Sequence, residues 1–372
     1  MKPLTLEVHK RCVTELFIGR GGLRQGSWID LAAPLGKRFA LITDHHVRDL
    51  LGSAIKAQGE ERGLEVHLLS FPPGEASKSR LWKEKIEDQM IELGLGRESA
   101  VIALGGGVVT DLAGFVAATY CRGVALLSIP TTLLAMCDAC LGGKVGVNTE
   151  RAKNLIGALH HPRKVLIDIE MLATLPERER LNGLAEVVKY ALISSPPLFA
   201  KLQGACERWR AQDPALLQEL IEASCTIKSE IVQQDPNEMG LRRILNFGHT
   251  VGHAIETLSG YQVAHGEAVA IGCAVEGYIS YRLGYLTSSE SEAIVALLRE
   301  YNFPLALPPG VDEKGMTQVM KLDKKAHQGE VRLVLLSGIG EAMTFDGAYC
   351  HPVTPQLLSE AISWMIAQFG RR

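Results

Sequence analysis

Ala100-Val101-Ile102-Ala103-Leu104-Gly105-Gly106-Gly107-Val108-Val109-Thr110-Asp111 decides how the first half of this 372-residue chain is read. Five apolar residues have the length of a buried strand, and 108–118 carries apolar positions at helical spacing. Three glycines join the two. They let the backbone approach a pyrophosphate, while the helix start offers free N–H groups and the positive end of its dipole. The pattern is not Gly-x-Gly-x-x-Gly, and a tight structural turn would use the same glycines. Its neighbours must decide.

Outward from this turn, short apolar runs recur at 39–43, 66–69, 125–129 and 165–167, with a helical pattern at 77–93. Strand–helix alternation favours a mainly parallel sheet covered on both faces, with ligands at the carboxyl ends of its strands. The loop Pro72-Pro73-Gly74-Glu75-Ala76-Ser77-Lys78 supplies an acid and a base before a helix, and the strand ends with Asp44, Gly105 to Gly107 and Thr131-Thr132 would meet in one crevice that fits a dinucleotide. From about residue 176 the texture turns helical, at 177–192, 216–233, 248–259, 267–283 and 289–300. A late hairpin is expected from 332–336 and 342–345, and a closing helix at 354–369. The fold class is therefore α/β, with a nucleotide-binding domain over 1–176 and a mainly α-helical domain over 177–372.

Composition excludes several classes. With 47% hydrophobic and 22% charged residues the chain is globular, and 39 basic against 42 acidic residues give a net charge of −3, which argues against nucleic acid as a partner. The longest apolar stretch, 124–136, is too short to cross a bilayer, and the opening MKPLTLEVHKRC has no secretory h-region. A cytoplasmic protein is expected. Eight irregularly spaced cysteines do not read as a disulfide framework, and Cys137 and Cys140 read as two small buried residues rather than a redox pair.

The chemistry-bearing residues lie mostly in the second half. His249 and His253 are four apart and share one face of a helix, a familiar metal-ligand arrangement. His265 opens another helix, and Glu186 and Lys189 sit three apart in an otherwise apolar one. A charge among apolar neighbours needs a partner, so ligation or ion pairing is expected at Glu186. By spacing alone the helical pair of ligands would be His249 and His253. Lys144, Lys153, Asn154, Lys228, Arg242, Asn246 and the Lys324-Lys325 pair form an inventory suited to phosphate or carboxylate.

These elements, in this order from about residue 40 to 336, resemble the 3-dehydroquinate synthase family, the sugar-phosphate cyclases of the shikimate pathway. The segments that carry the resemblance are GGGVVTDLAGFVAATYCRG, IPTTLLAMCDACLGGKVGVN, KNLIGALHHP, TLPERERLNGLAEVVK, LRRILNFGHTVGHAIE and HGEAVAIG. It implies an N-terminal Rossmann-like NAD-binding domain and a C-terminal helical metal-binding domain. It further implies conversion of 3-deoxy-D-arabino-heptulosonate 7-phosphate to 3-dehydroquinate and phosphate, through transient oxidation by NAD, phosphate elimination, re-reduction and aldol closure.

By that resemblance one divalent cation, zinc or cobalt, is held by Glu186, His249 and His265, which moves His253 from ligand to acid–base group. NAD contacts fall on Asp44, Glu75, Lys78, Gly105, Gly106, Gly107, Asp111, Thr131, Thr132, Lys144, Lys153, Thr174 and Glu179. Substrate contacts fall on Asp138, Lys144, Asn154, Lys189, Lys228, Arg242, Asn246, His253 and one of Lys324 and Lys325, with Lys324 taken here. Arg122 matches an arginine that reaches the neighbouring subunit's site, which implies a homodimer. Sister cyclases look altered at the substrate side, whereas Arg242, Asn246, His253 and the Asp-Lys-Lys run keep the dehydroquinate pattern. The chain departs from that pattern around Asp138, with Cys137, Ala139 and Cys140, and at Asp235-Pro236-Asn237-Glu238, where the family usually reads Asp-Glu. Glu238 is left as the acid nearest Arg242.

Overall fold

The structure is a computed structural model that describes residues 12–149, 152–322 and 330–371. By its internal contacts the chain divides into two compact units, Met1–Thr131 with Ala139–Asp168, and Thr132–Asp138 with Ile169–Arg372.

The first unit carries β1 (Glu15–Gly19), α1 (Ser27–Ala32), β2 (Arg38–Asp44), α2 (His45–Val47), α3 (Ser53–Glu61), β3 (Glu65–Phe71), α4 (Arg80–Glu92), β4 (Ala100–Gly105), α5 (Gly107–Thr119), β5 (Ala125–Pro130), β6 (Lys144–Thr149), β7 (Ala152–Leu159) and β8 (Lys164–Asp168). Six strands form one parallel sheet in the order β1-β8-β5-β4-β2-β3. Every residue of β4 is buried, so its sequence is a continuous apolar run rather than an alternating one. Val101, Ala103, Leu112, Phe115, Val116 and Met90 share one core on the α4–α5 side.

All five strands expected from the apolar runs are present. Two further features were not expected. β1 pairs in register with β8, from Glu15 opposite Lys164 to Gly19 opposite Asp168. β6 and β7 form an antiparallel pair in a stretch that reads as loop. There Gly146 and Gly157 let two backbones touch, since a Cβ on Gly157 would lie 2.2 Å from the Val145 carbonyl oxygen.

The second unit is built from α6 (Glu177–Ser194), α7 (Pro196–Gln203), α8 (Cys206–Arg210), α9 (Pro214–Gln234), α10 (His249–Leu258), α11 (His265–Arg282), α12 (Ser288–Glu300), α13 (Glu313–Leu322) and α14 (Pro355–Phe369), with short strands β9 (Arg332–Leu333), β10 (Leu336–Gly338), β11 (Glu341–Ala342) and β12 (His351–Pro352). The late hairpin is shorter than expected. Only β10 pairs with β11, and Arg332–Leu333 pairs with His351–Pro352 instead. A capping box at Thr287 and Glu290 starts α12.

α6 is buried continuously from Asn182 to Ile193, with Glu186 and Lys189 inside it. α10 meets α11 through glycine. Gly248, at φ 77°, precedes His249, and a Cβ on Gly272 would stand 1.9 Å from the Gly248 carbonyl oxygen. Only two facing glycines permit that approach. No helix among the described residues is long and apolar enough to cross a membrane.

Candidate metal centre and nucleotide loop

Three helices of the second unit converge on Glu186. Its Oε1 lies 3.4 Å from His249 Nε2 and 3.2 Å from His265 Nε2. Two donors each about 2.1 Å from a tetrahedral ion are separated by about 3.4 Å, so these spacings are those of the edges of a metal polyhedron. One ligand atom from each of the three residues lies within 4.8 Å of the others. The second carboxylate oxygen of Glu186 accepts from the Lys189 ammonium.

The rings are oriented from behind, as metal-ligating histidines usually are. His249 Nδ1 faces the Phe247 carbonyl oxygen at 3.1 Å, and His265 Nδ1 faces Glu256 Oε2 at 3.5 Å. Spacing alone left His253 a candidate ligand beside His249. Its ring stands edge-on to His249 at 5.5 Å, and the cluster around Glu186 contains His249 and His265 but not His253.

Electrostatics follow from burial against pairing. Burial would raise the Glu186 carboxyl, but Lys189 and His249 hold it well below the usual carboxylate range. Burial pushes His249 down despite Glu186. At His265 burial is outweighed by Glu186 and Glu256, and its imidazole is pushed up to about 10. Burial opposes the charge on Lys189 too, yet Glu186 and Asp138 raise it above its ordinary value. The donor set, one carboxylate and two imidazoles around a fixed point, suits a borderline divalent cation.

Beside it, Asp138 Oδ1 accepts from Lys228 Nζ at 2.7 Å and from the Tyr190 hydroxyl at 2.5 Å, and Lys228 also donates to the Asp138 carbonyl at 2.7 Å. Burial would raise Asp138, but Lys228 and Lys189 bring it down to about 2. Arg242 is buried and donates to the Pro236 carbonyl at 2.8 Å. Asn246 donates to Glu238 Oε1 at 2.9 Å. Asp235 instead organises its own loop, accepting from the backbone N–H groups of Met239, Gly240 and Arg242. In that loop it is Glu238, rather than Asp235, that faces the Asn246 side chain. Lys324 and Lys325 lie outside the described residues.

In the first unit, Lys78 donates to the Asp111 carboxylate and the Asn154 side-chain carbonyl. Asn148 joins them. Its amide donates to Glu75 at 2.7 Å, its carbonyl oxygen accepts from Asn154 N–H at 3.0 Å, and its own N–H donates to Lys78 O at 2.8 Å. Glu75, Lys78, Asp111 and Asn154 thus form one network. Asp44, at the end of β2, accepts from Val47 N–H at 2.9 Å. Gly106 caps α5 with no side-chain acceptor, so the first N–H groups of that helix have no side-chain cap, the arrangement that receives a phosphate. Thr131 N–H donates to Gly105 O at 2.9 Å. Lys144 and Arg122 are exposed and Lys153 is half-buried. Three of the expected nucleotide contacts belong to the second unit: Thr132, which accepts from Ala135 N–H at 3.2 Å, Thr174, which is exposed, and Glu179, which accepts from Asn182 at 3.2 Å.

Three participants escaped the sequence reading. Glu256 lies three residues after His253 on the same helical face, and that spacing was the available signal. Tyr190 and Asn148 carried none; only packing reveals them.

The chain matches 3-dehydroquinate synthase N-terminal over residues 68–182 and 3-dehydroquinate synthase C-terminal over residues 183–326. A 3-dehydroquinate synthase of Synechococcus sp. is 42% identical over 89% of this chain and 92% of its own, and one of Symbiobacterium thermophilum is 40% identical over 96% and 98%. Among solved structures, 2-epi-5-epi-valiolone synthase from Streptomyces hygroscopicus, with NAD+ and Zn2+ bound, superposes with a TM-score of 0.89 at 29% identity over 98% of this chain and 100% of that one. A 2-deoxy-scyllo-inosose synthase complexed with carbaglucose-6-phosphate, NAD+ and Co2+ gives 0.83 at 27% identity over 94% and 95%. Matched along both halves and at about 40% identity over nearly its whole length, the chain belongs to the 3-dehydroquinate synthase family.

Proposed function

We propose that this chain converts 3-deoxy-D-arabino-heptulosonate 7-phosphate to 3-dehydroquinate and phosphate in the shikimate pathway, using NAD and one divalent cation, zinc or cobalt. The observation that carries the reading is the buried Glu186–His249–His265 set in a chain about 40% identical to 3-dehydroquinate synthases. When bound, NAD takes up and returns a hydride, and the cation polarises the hydroxyl being oxidised.

The protein's own groups suit the remaining tasks. Glu186, His249 and His265 hold the cation, with open positions left for substrate oxygens. Lys189 is kept charged by Glu186 and so donates hydrogen bonds rather than abstracting protons. Lys228, fixed by Asp138, presents its remaining N–H to a hydroxyl. His253, half-buried with its ring 5.5 Å from that of His249 and 6.3 Å from that of His265, holds or moves a proton on the substrate side. Arg242, Lys144 and Lys324 neutralise the phosphate and carboxylate, while Asn154 and Asn246 hold them by hydrogen bonds. Lys78, Asp111, Glu75, Lys153 and the glycine loop carry the nucleotide, together with Asp44, Thr131, Thr132, Thr174 and Glu179. Elimination is assisted by the departing phosphate, and positioning does the rest.

The working form is a cytoplasmic homodimer. Support comes from eight free cysteines, six of them buried, which fit a reducing compartment, and from Arg122. Arg122 and Cys121 both hold left-handed backbone, at φ 66° and 50°, and both are exposed, which leaves Arg122 accessible to a second copy. Light scattering that returned a monomer at working concentration would refute the dimer. The activity is tested by incubating metal-loaded protein with the heptulosonate phosphate and trace NAD. Stoichiometric phosphate and 3-dehydroquinate with no net NADH is expected. No phosphate release, with cation and NAD bound, would move the assignment to a sister cyclase acting on another sugar phosphate.

A further inference from the structure

His265 faces two ways. Its Nε2 lies 3.2 Å from Glu186 Oε1, and its Nδ1 lies 3.5 Å from Glu256 Oε2. The second separation is at the far limit of a hydrogen bond but close to the edge of a metal tetrahedron, about 3.4 Å. His253 completes a triangle there. One ligand atom each of His253, Glu256 and His265 lies within 4.8 Å of the others. Helical spacing makes this possible, because His249, His253 and Glu256 recur on one face of α10 while His265 opens α11. Glu256 is buried, at 4% exposure, and supplies the negative charge a second cation requires.

We infer that His253, Glu256 and the Nδ1 of His265 form a second, inhibitory divalent-cation site, joined to the first through the His265 ring. This rests on the reading of Glu186, His249 and His265 as the first site. Because the two ring nitrogens already point at different carboxylates, both sites fill without a rotation of His265. Its ring gives up the Nδ1 hydrogen to solvent when the second cation arrives. Repulsion between the two cations makes the second bind more weakly than the first. It inhibits because it takes the lone pair of His253, the group assigned to proton transfer.

Cobalt(II) titration of the apo-protein, followed by its visible absorption and by metal content after desalting, tests the inference. Two equivalents are expected, the second weaker and with its own spectrum, while phosphate release rises through the first and falls through the second. His253→Asn and Glu256→Gln keep all three first-site ligands, Glu186, His249 and His265, although Glu256→Gln also alters the group behind His265 and should loosen the first equivalent to a smaller degree. Each is expected to keep the first equivalent and to weaken the second roughly 100-fold or more, beyond the usual effect of losing a supporting contact. A single equivalent at high cobalt, or a second equivalent that survives both substitutions, overturns the second site and leaves the first standing. If no cobalt binds at all, the first site and the activity proposed for it fail as well.

Discussion

Loading the first cation at pH 8 should expel about one proton. Among its three ligands, Glu186 is already ionised and His249, pushed below 6.5 by burial, is already neutral. His265 differs, because Glu186 and Glu256 hold its apo-form imidazole at about 10. At pH 8, two units below that value, roughly 99% of His265 carries a proton that coordination must displace. The sign is fixed. The raised value favours the cation-free protein, so apparent metal affinity should fall about tenfold for each unit that pH drops below 10, and more steeply once His249 also protonates below 6.5. Calorimetry at sub-stoichiometric zinc, in two buffers of different ionisation enthalpy, reads the proton count from the difference in heat. Expected is a value near one at pH 8, declining above pH 10. A count near zero at pH 8 would refute the argument, since it would require His265 to be neutral between two carboxylates.

Three further outcomes follow from the packing. Glu186→Ala strands Lys189 in a buried site, so besides losing the first cation it should lower apo stability by about 3–5 kcal/mol in urea unfolding; unchanged stability would mean Lys189 finds another partner. Gly272→Ala drives a Cβ against the Gly248 carbonyl and should cost at least about 1–3 kcal/mol while weakening cobalt binding through His249, as melting and titration would report. Tyr190→Phe removes one of two donors to Asp138 and should destabilise by about 1.5–3 kcal/mol by chemical denaturation, and a wild-type value would show the hydroxyl to be dispensable.

How much was legible depends on whether a residue's role is local. Strands such as β4 announce themselves because both faces are buried, so apolar residues run without a break. β6 and β7 do not, since Gly146 and Gly157 are there for a backbone approach that no periodicity encodes. Within the site, Glu186 and Lys189 stand out as charges in an apolar helix. His249 and His253 are equivalent by spacing, and what separates them is the position of α6 and of His265, some sixteen residues further on. Glu256 was hidden for the opposite reason. An acid on a helix is ordinary, and it becomes informative only when a histidine from another helix faces it.

The seven residues from Thr132 to Asp138 lie between parts of the first unit in the chain, yet pack with the second. Leu133, Ala135, Met136 and Cys137 are buried there, against Gly183 of α6 and Cys225 of α9 among others. On the ribosome this segment emerges long before its partners. α9 is complete roughly a hundred residues later, a delay of about 5–20 s at ordinary rates of synthesis. During that interval the sheet can close while an apolar loop waits without cover. The nascent chain therefore has a defined window in which a chaperone, or a wrong contact, can claim it. For the same reason no single cut separates the molecule into two halves that each keep their own residues.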